Sequence, residues 1–384
     1  PDNLLPEKNK FKTYFDAITS LRFPLDYTED WIKKMNPQAE KLSEVQNTCA
    51  LLLKRYQALI TAPRVEDFSY PSVDTPIPNL LGLLRTVKLY TTISTTRAVK
   101  GEWQEAVSDL LLQVNFARRF IPTARPLITN LIAKAVMDIS LQGLVSILNH
   151  PGCPPVVYEK VIEGLTPLGY EEYGNRNSLI FECLQGFGIT DEPRDSYFEK
   201  VEAFKISGFP ERIFLQKNTT KNYFYDYFSR AIAFDTQEPY LWQGNPEKEL
   251  RDMIESKITG FFWKLKNPYG KTIFSIMAPN IYSTIFTAYR LRCRYEMTRL
   301  LAELKLEYSP GKKVDDVLPR LKTYQWNDPF SGKPYRWNPE KKVLYSIGID
   351  GVDNGGVENK TLKTDIIIPV VVPQEAGAAS PGEE

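Results

Sequence analysis

Apolar residues occupy almost every side of the stretch from Leu127 to Leu148, LITNLIAKAVMDISLQGLVSIL, and only Asn130, Lys134, Asp138 and Gln142 interrupt it with strongly polar groups. A helix that is greasy all round belongs in a protein core or in a membrane. Two charges near its middle and the lack of a basic flank favour the core, so the segment is expected as the pillar of a helical body. Its four polar residues recur at every fourth position and share one face, where Lys134 and Asp138 are expected to pair.

Around the pillar the pattern is amphipathic. From Pro37 to Ala62, apolar residues at Leu42, Val45, Cys49, Leu52, Leu53 and Tyr56 follow one helical face. The prolines at 63, 71, 76 and 78 mark an extended linker, and Asn79 is placed to cap a following helix whose face reads Leu80, Leu83, Leu84, Val87, Thr91, Ser94 and Ala98. Lys100-Gly101 turns the chain, and Trp103, Ala106, Val107, Leu110, Val114 and Ala117 form the facing stripe of an antiparallel αα-hairpin. Further helices are expected near 155–165, near 170–186 and from Pro246 to Lys264, then an Asn267-Pro268-Tyr269-Gly270 turn and a long helix over 280–306. Residues 1–36 read as an aromatic-pinned arm, and the run Asn222 to Phe228 reads as core packing, with an aromatic ligand platform as the alternative.

After Leu318 the helical period stops. Tyr335-Arg336-Trp337 and Val343 to Ile347 read as a small hairpin about Asn338-Pro339-Glu340, and a last apolar strand follows Asp365, with Pro369 marking it as a sheet edge. The expected fold is mainly α: an αα-hairpin helical body with a small C-terminal β module. The domains expected are 1–280 for the body and its arm, 281–373 for the long helix and β module, and 374–384 for a flexible tail.

Composition narrows the chemistry. The 48 basic and 47 acidic residues nearly cancel, and no basic cluster is interleaved with aromatics, so no nucleic-acid partner is expected. One histidine, His150, excludes zinc sites built on a histidine pair. The four cysteines, Cys49, Cys153, Cys183 and Cys293, form no CxxC and read as buried thiols or as two long-range disulfides. The chain opens on Pro1, so a segment upstream of it is expected to carry any membrane anchor or signal.

Two resemblances follow from particular residues. KGEWQEAVSDLLLQVNFA is similar to the second-helix start of a tetratricopeptide repeat, with Ala106 as the small contact residue, although no 34-residue recurrence appears elsewhere. More specifically, AYRLRCRYEMTRLLAELK, VDDVLP, DPFSGKPYRW, LYSIGIDGVDNGG and the distal Asp365-Ile366 resemble the C-terminal half of the major pseudopilin of type II secretion systems. The same ending is similar to that of large bacterial envelope proteins with a helical front half. The resemblance covers residues 285–368 and implies an extracytoplasmic place in the bacterial cell envelope. It also implies a calcium ion at the Asp-Gly loop, held by Asp350, Asp353 and Asp365 with carbonyls of Leu344 and Ser346. Calcium takes about six to eight oxygens, which such a loop can supply. Self-capping by Asp and Asn side chains is the competing account of the same loop. A pseudopilin opens with a long hydrophobic assembly helix where this chain has its helical body, so filament assembly is not implied.

Two functional classes follow. One is a non-enzymatic envelope protein whose helices form a surface for a protein partner and carry the pseudopilin-like module. The other is an all-α hydrolase acting on glycans through two carboxylates, drawn from Glu171, Glu172 and Glu182. His150, at the end of the pillar, is expected to cap it as an imidazolium favoured by the helix dipole, and Cys153 to sit in a rigid Pro-Gly-Cys-Pro-Pro turn; neither is expected to be catalytic.

Overall fold

A computed structural model describes residues 43–67, 69–71, 80–191, 215–258, 267–278, 281–309, 312–358 and 365–371. The expected N-terminal arm, the start of the first helix at Pro37, the Asn79 cap, residues 72–78 of the linker and the C-terminal tail lie outside the described residues.

The pillar forms over the span its pattern marks. Helix α4 (Leu127–Leu148) follows α1 (Ala50–Thr61), α2 (Leu80–Val99) and α3 (Trp103–Phe120). Val136, Met137, Leu144 and Leu148 on α4 are completely buried, and each such side chain stabilises the fold by about 1.5–3 kcal/mol. By length and composition α4 could cross a membrane, but two thirds of its most apolar window is buried against the rest of the chain. Helices α2, α3 and a later helix, α10 (Ile281–Glu307), cover it. The hairpin between α2 and α3 turns at Gly101, whose φ of 95° closes α2 through Gly101 N–H to Ala98 O at 2.9 Å. Close approach inside the bundle depends on Gly143 of α4: a Cβ there would lie 2.7 Å from Thr91 Cγ2 and 3.1 Å from Leu110 Cδ1.

The expected helix at 170–186 is shifted. Residues Tyr170–Glu172 form a single 3-10 turn, and α6 begins only at Arg176 (Arg176–Asp191), after α5 (Pro155–Gly164). The shift follows from Asn175, whose carbonyl receives the N–H of Leu179 while its amide group is held elsewhere. The aromatic run lies on α7 (Lys217–Thr236), where Phe224, Tyr227 and Phe228 are buried and the first two meet Phe274 edge-on at 5.3 and 5.7 Å. Core packing accounts for these three, while Tyr225 of the same run is exposed. Helix α8 (Pro246–Ile258) follows, and its expected extension to Lys264 lies outside the described residues. The expected turn at 267–270 is instead a helix start: Asn267 adopts φ 54°, and α9 (Pro268–Met277) opens on its proline.

Beyond α10 and the short α11 (Val314–Val317), two 3-10 turns lead into a three-stranded antiparallel sheet in the order β1-β2-β3. Strand β1 (Arg336–Asn338) pairs with β2 (Val343–Ser346), and β2 with β3 (Ile366–Pro369), with Leu344 opposite both Trp337 and Ile368. Pro369 falls on an outer strand, where its missing N–H breaks no ladder. One continuous hydrophobic cluster runs from Tyr56 through the pillar and α10 to Ile368 and Val370, so the sheet shares the core of the helices.

Candidate functional site

The glycine-rich loop between β2 and β3 is shaped from its base. Asp365 is fully buried immediately before β3, and its carboxylate accepts N–H groups from Gly356 at 2.7 Å, Asn354 at 3.3 Å and Val357 at 3.3 Å. Gly356 holds φ 72°, and a Cβ on it would lie 2.6 Å from Val343 Cγ2, so the turn that aims these N–H groups at Asp365 requires glycine. Asp353 accepts from the Gly355 N–H and the Tyr345 hydroxyl, at 2.9 and 3.1 Å, and pairs with Arg336 at 2.5 Å. Asp350 is exposed and accepts the Val352 N–H at 3.1 Å and the Asn354 amide at 3.3 Å.

Thus the structure gathers Asp350, Asp353 and Asp365 around one loop but turns their oxygens onto N–H and O–H donors and one guanidinium. Leu344 lies in the middle strand, where its carbonyl points at a neighbouring strand. Ser346 is buried and donates its hydroxyl to Asp328 at 2.8 Å. Among the described residues no three histidine, cysteine, aspartate or glutamate side chains converge to hold a metal ion. The oxygens suit a hard cation in kind, but in this arrangement they do not form a cage.

A second polar system runs along α10 and fixes the sheet to the helices. Arg294 bridges Asp138 of the pillar, at 2.9 Å, and Glu358 of the loop, at 3.0 Å. Asp138 is therefore taken by Arg294 and not by Lys134, which donates instead to Asn175. The expected pairing fails because α10 and α6 offer each member a partner from outside the helix. Arg292 joins Glu238 and Glu296, at 2.5 and 2.8 Å, and Glu296 accepts the buried Tyr335 hydroxyl at 2.5 Å. Burial pushes the Glu296 carboxyl above the usual range, against the opposing pull of Arg292. Arg299 donates to the carbonyls of Ile162 and Leu165, both at 2.6 Å, and lies over the Trp326 ring. At the Asp-Pro turn, Asp328 is 2 % exposed and accepts from Phe330 N–H, Ser331 Oγ and Ser346 Oγ. Asn149, the C-cap of α4, donates to Pro369 O at 2.8 Å and accepts from Val371 N–H at 2.9 Å. Of these groups Asp328, before a proline, and Asn149, at the stop of the pillar, carry a local signal in the sequence; Glu296 carries none.

The residues considered for catalysis are dispersed into structural roles. Glu172 binds Arg118 through two hydrogen bonds of 2.6 and 2.9 Å, Glu182 accepts the Leu127 N–H at the head of the pillar, and Glu171 is exposed. His150 packs at a tilt against Trp103, with ring centres 5.0 Å apart, and its Nδ1 accepts the Gly152 N–H. A nitrogen that accepts an N–H carries no proton of its own, so this geometry is that of a neutral acceptor and not of the expected imidazolium cap; burial lowers the ring's pKa in the same direction, and Asn149 occupies the cap position. The four cysteines are free and buried, and burial raises the Cys153 thiol to about 11. No protein-family model, no curated protein and no solved structure matches this chain. The described residues form a mainly α body whose small antiparallel sheet shares its core.

Proposed function

We propose that this chain is a non-enzymatic protein of the bacterial cell envelope, a rigid helical carrier that presents the 348–358 loop to a protein partner. The observation that carries this reading is the contrast within that loop. Its base is fixed by Asp365 and by the Arg294–Glu358 pair, while Val352 and Val357 stand 55 and 47 % exposed beside the exposed Asp350. An ordered loop that offers apolar side chains next to a carboxylate suits recognition by another protein. The engagement of Glu172 by Arg118 and of Glu182 by the Leu127 N–H supports the same reading against a two-carboxylate hydrolase, which needs a pair of acids facing the same bond.

A photo-crosslinking residue placed at position 352 or 357 in the producing bacterium tests the proposal. A specific protein adduct in the envelope fraction, lost when the other valine is replaced by serine, is expected. Absence of any adduct, or recovery of the natively expressed protein from the cytosol, overturns it.

Calcium belongs to this proposal through the same loop. Supporting it are the three carboxylates around one glycine-rich turn and the exposure of Asp350; it requires Asp353 to leave Arg336 and Asp350 to leave the Val352 N–H. A melting temperature raised by millimolar calcium, with the rise lost in D350N/D353N, is the expected result. Identical melting curves in calcium and chelator remove this part and leave the carrier function standing.

A further inference from the structure

Lys134 lies within the pillar and is 1 % exposed, with Asn175 Oδ1 accepting from its Nζ. Asn175 gives its backbone N–H and its amide to the two oxygens of Asp235, at 2.7 and 2.5 Å, and the Tyr170 hydroxyl donates to the same carboxylate. The Tyr289 hydroxyl donates to the Asp235 carbonyl at 2.8 Å, which ties α10 into the junction. Three donors thus satisfy Asp235 without the lysine. The lysine, which would carry three N–H groups when charged, meets one acceptor among the described residues, Asn175 Oδ1. One turn earlier on the same helix, the buried Oδ1 of Asn130 has no donor among the described residues.

The junction therefore holds the carboxylate well and the ammonium poorly. A neutral amine needs little more than the one acceptor it has, whereas a buried ammonium leaves strong donors unmet. The surrounding groups are Asn130 and Asp138 on α4, Tyr170 of the 3-10 turn, Asn175 at the head of α6, Asp235 on α7, and Thr284 and Tyr289 on α10. Asp138 is neutralised by Arg294. We infer that Lys134, Asn175 and Asp235 form a proton-sensitive latch, in which the neutral amine closes α4 onto α6, α7 and α10 and protonation loosens that closure.

Burial lowers the Lys134 pKa from 10.5 to about 7, with Asp235 pulling the other way. When the junction opens, the solvated amine regains its ordinary value. Between pH 7 and 10.5 the open form holds a proton that the closed form lacks. Closure therefore becomes about tenfold more favourable per pH unit across that window, and is independent of this group below it.

Native-state hydrogen exchange on the full chain, corrected for intrinsic rates, reads the opening of amides in α4 and α7 from pH 6 to 9.5. A fall of about tenfold per unit above pH 7 is expected, and Lys134→Met should lose the part due to Lys134. Lys305, also buried and lowered to about 8, adds a background slope that stays in both proteins, so the difference between them is the measure. Asp235→Asn should shift the start of the window to lower pH. An equal slope in wild type and Lys134→Met overturns the latch. If Lys134→Met does not fold, the side-chain nitrogen of Lys134 is titrated by NMR in the wild type: a midpoint near 7 supports the proposal, and one at the ordinary value of 10.5 overturns it.

Discussion

Replacing Asn149 with alanine tests how the last strand is held to the helices. Asn149 caps the pillar and is 6 % exposed, and its amide acts as a short rung beside β3, donating to Pro369 O and accepting from Val371 N–H. Its partners lie 220 and 222 positions away in the chain, so nothing local replaces them. Each hydrogen bond contributes about 1 kcal/mol, and a buried carbonyl or N–H left without a partner costs about 1–3 kcal/mol. Water can reach part of the outer edge of β3, which lowers the second term. The expected loss is about 2–4 kcal/mol. Asn149→Asp should lose about as much, because it keeps the acceptor for Val371 but sets a carboxylate against the Pro369 carbonyl. Urea unfolding measures the total, and hydrogen exchange at residues 366–371 locates it. A loss under about 0.5 kcal/mol, or unchanged exchange at Val371, would refute the clamp.

Three further outcomes follow from the packing. Gly143→Ala forces a Cβ into Thr91 and Leu110 and should cost about 1–3 kcal/mol by thermal or urea unfolding; a neutral result would mean that α2 and α3 yield freely. Asp365→Ala strips the acceptor from three loop N–H groups and should speed proteolytic cleavage within 348–358 well before the helical body unfolds. The four buried thiols should resist alkylation at neutral pH and all react in urea, since burial raises the thiols of Cys153 and Cys183 to about 11; fast labelling of the native protein would contradict their placement.

Much of the architecture is legible along the chain because it rests on local periodicity. The all-round apolar pattern of Leu127–Leu148 marks the pillar to the residue, and the α2–α3 hairpin, the long α10, the small hairpin and the edge position of Pro369 follow from apolar spacing and turn chemistry. The Asp350–Asp365 loop is visible in the same way, because glycine and aspartate announce a turn. The partners of the polar groups are not. Lys134 and Asp138 sit at helical spacing for a pair, yet α6 and α10 bring Asn175 and Arg294 closer to each need. Asp235 and Glu296 look like ordinary surface residues in the sequence and are buried in the fold. Burial makes a polar side chain seek whatever donor or acceptor the packed elements bring within about 3 Å, and that choice is made between elements distant in the chain. Period fixes the helices and strands; only their packing decides which charge meets which.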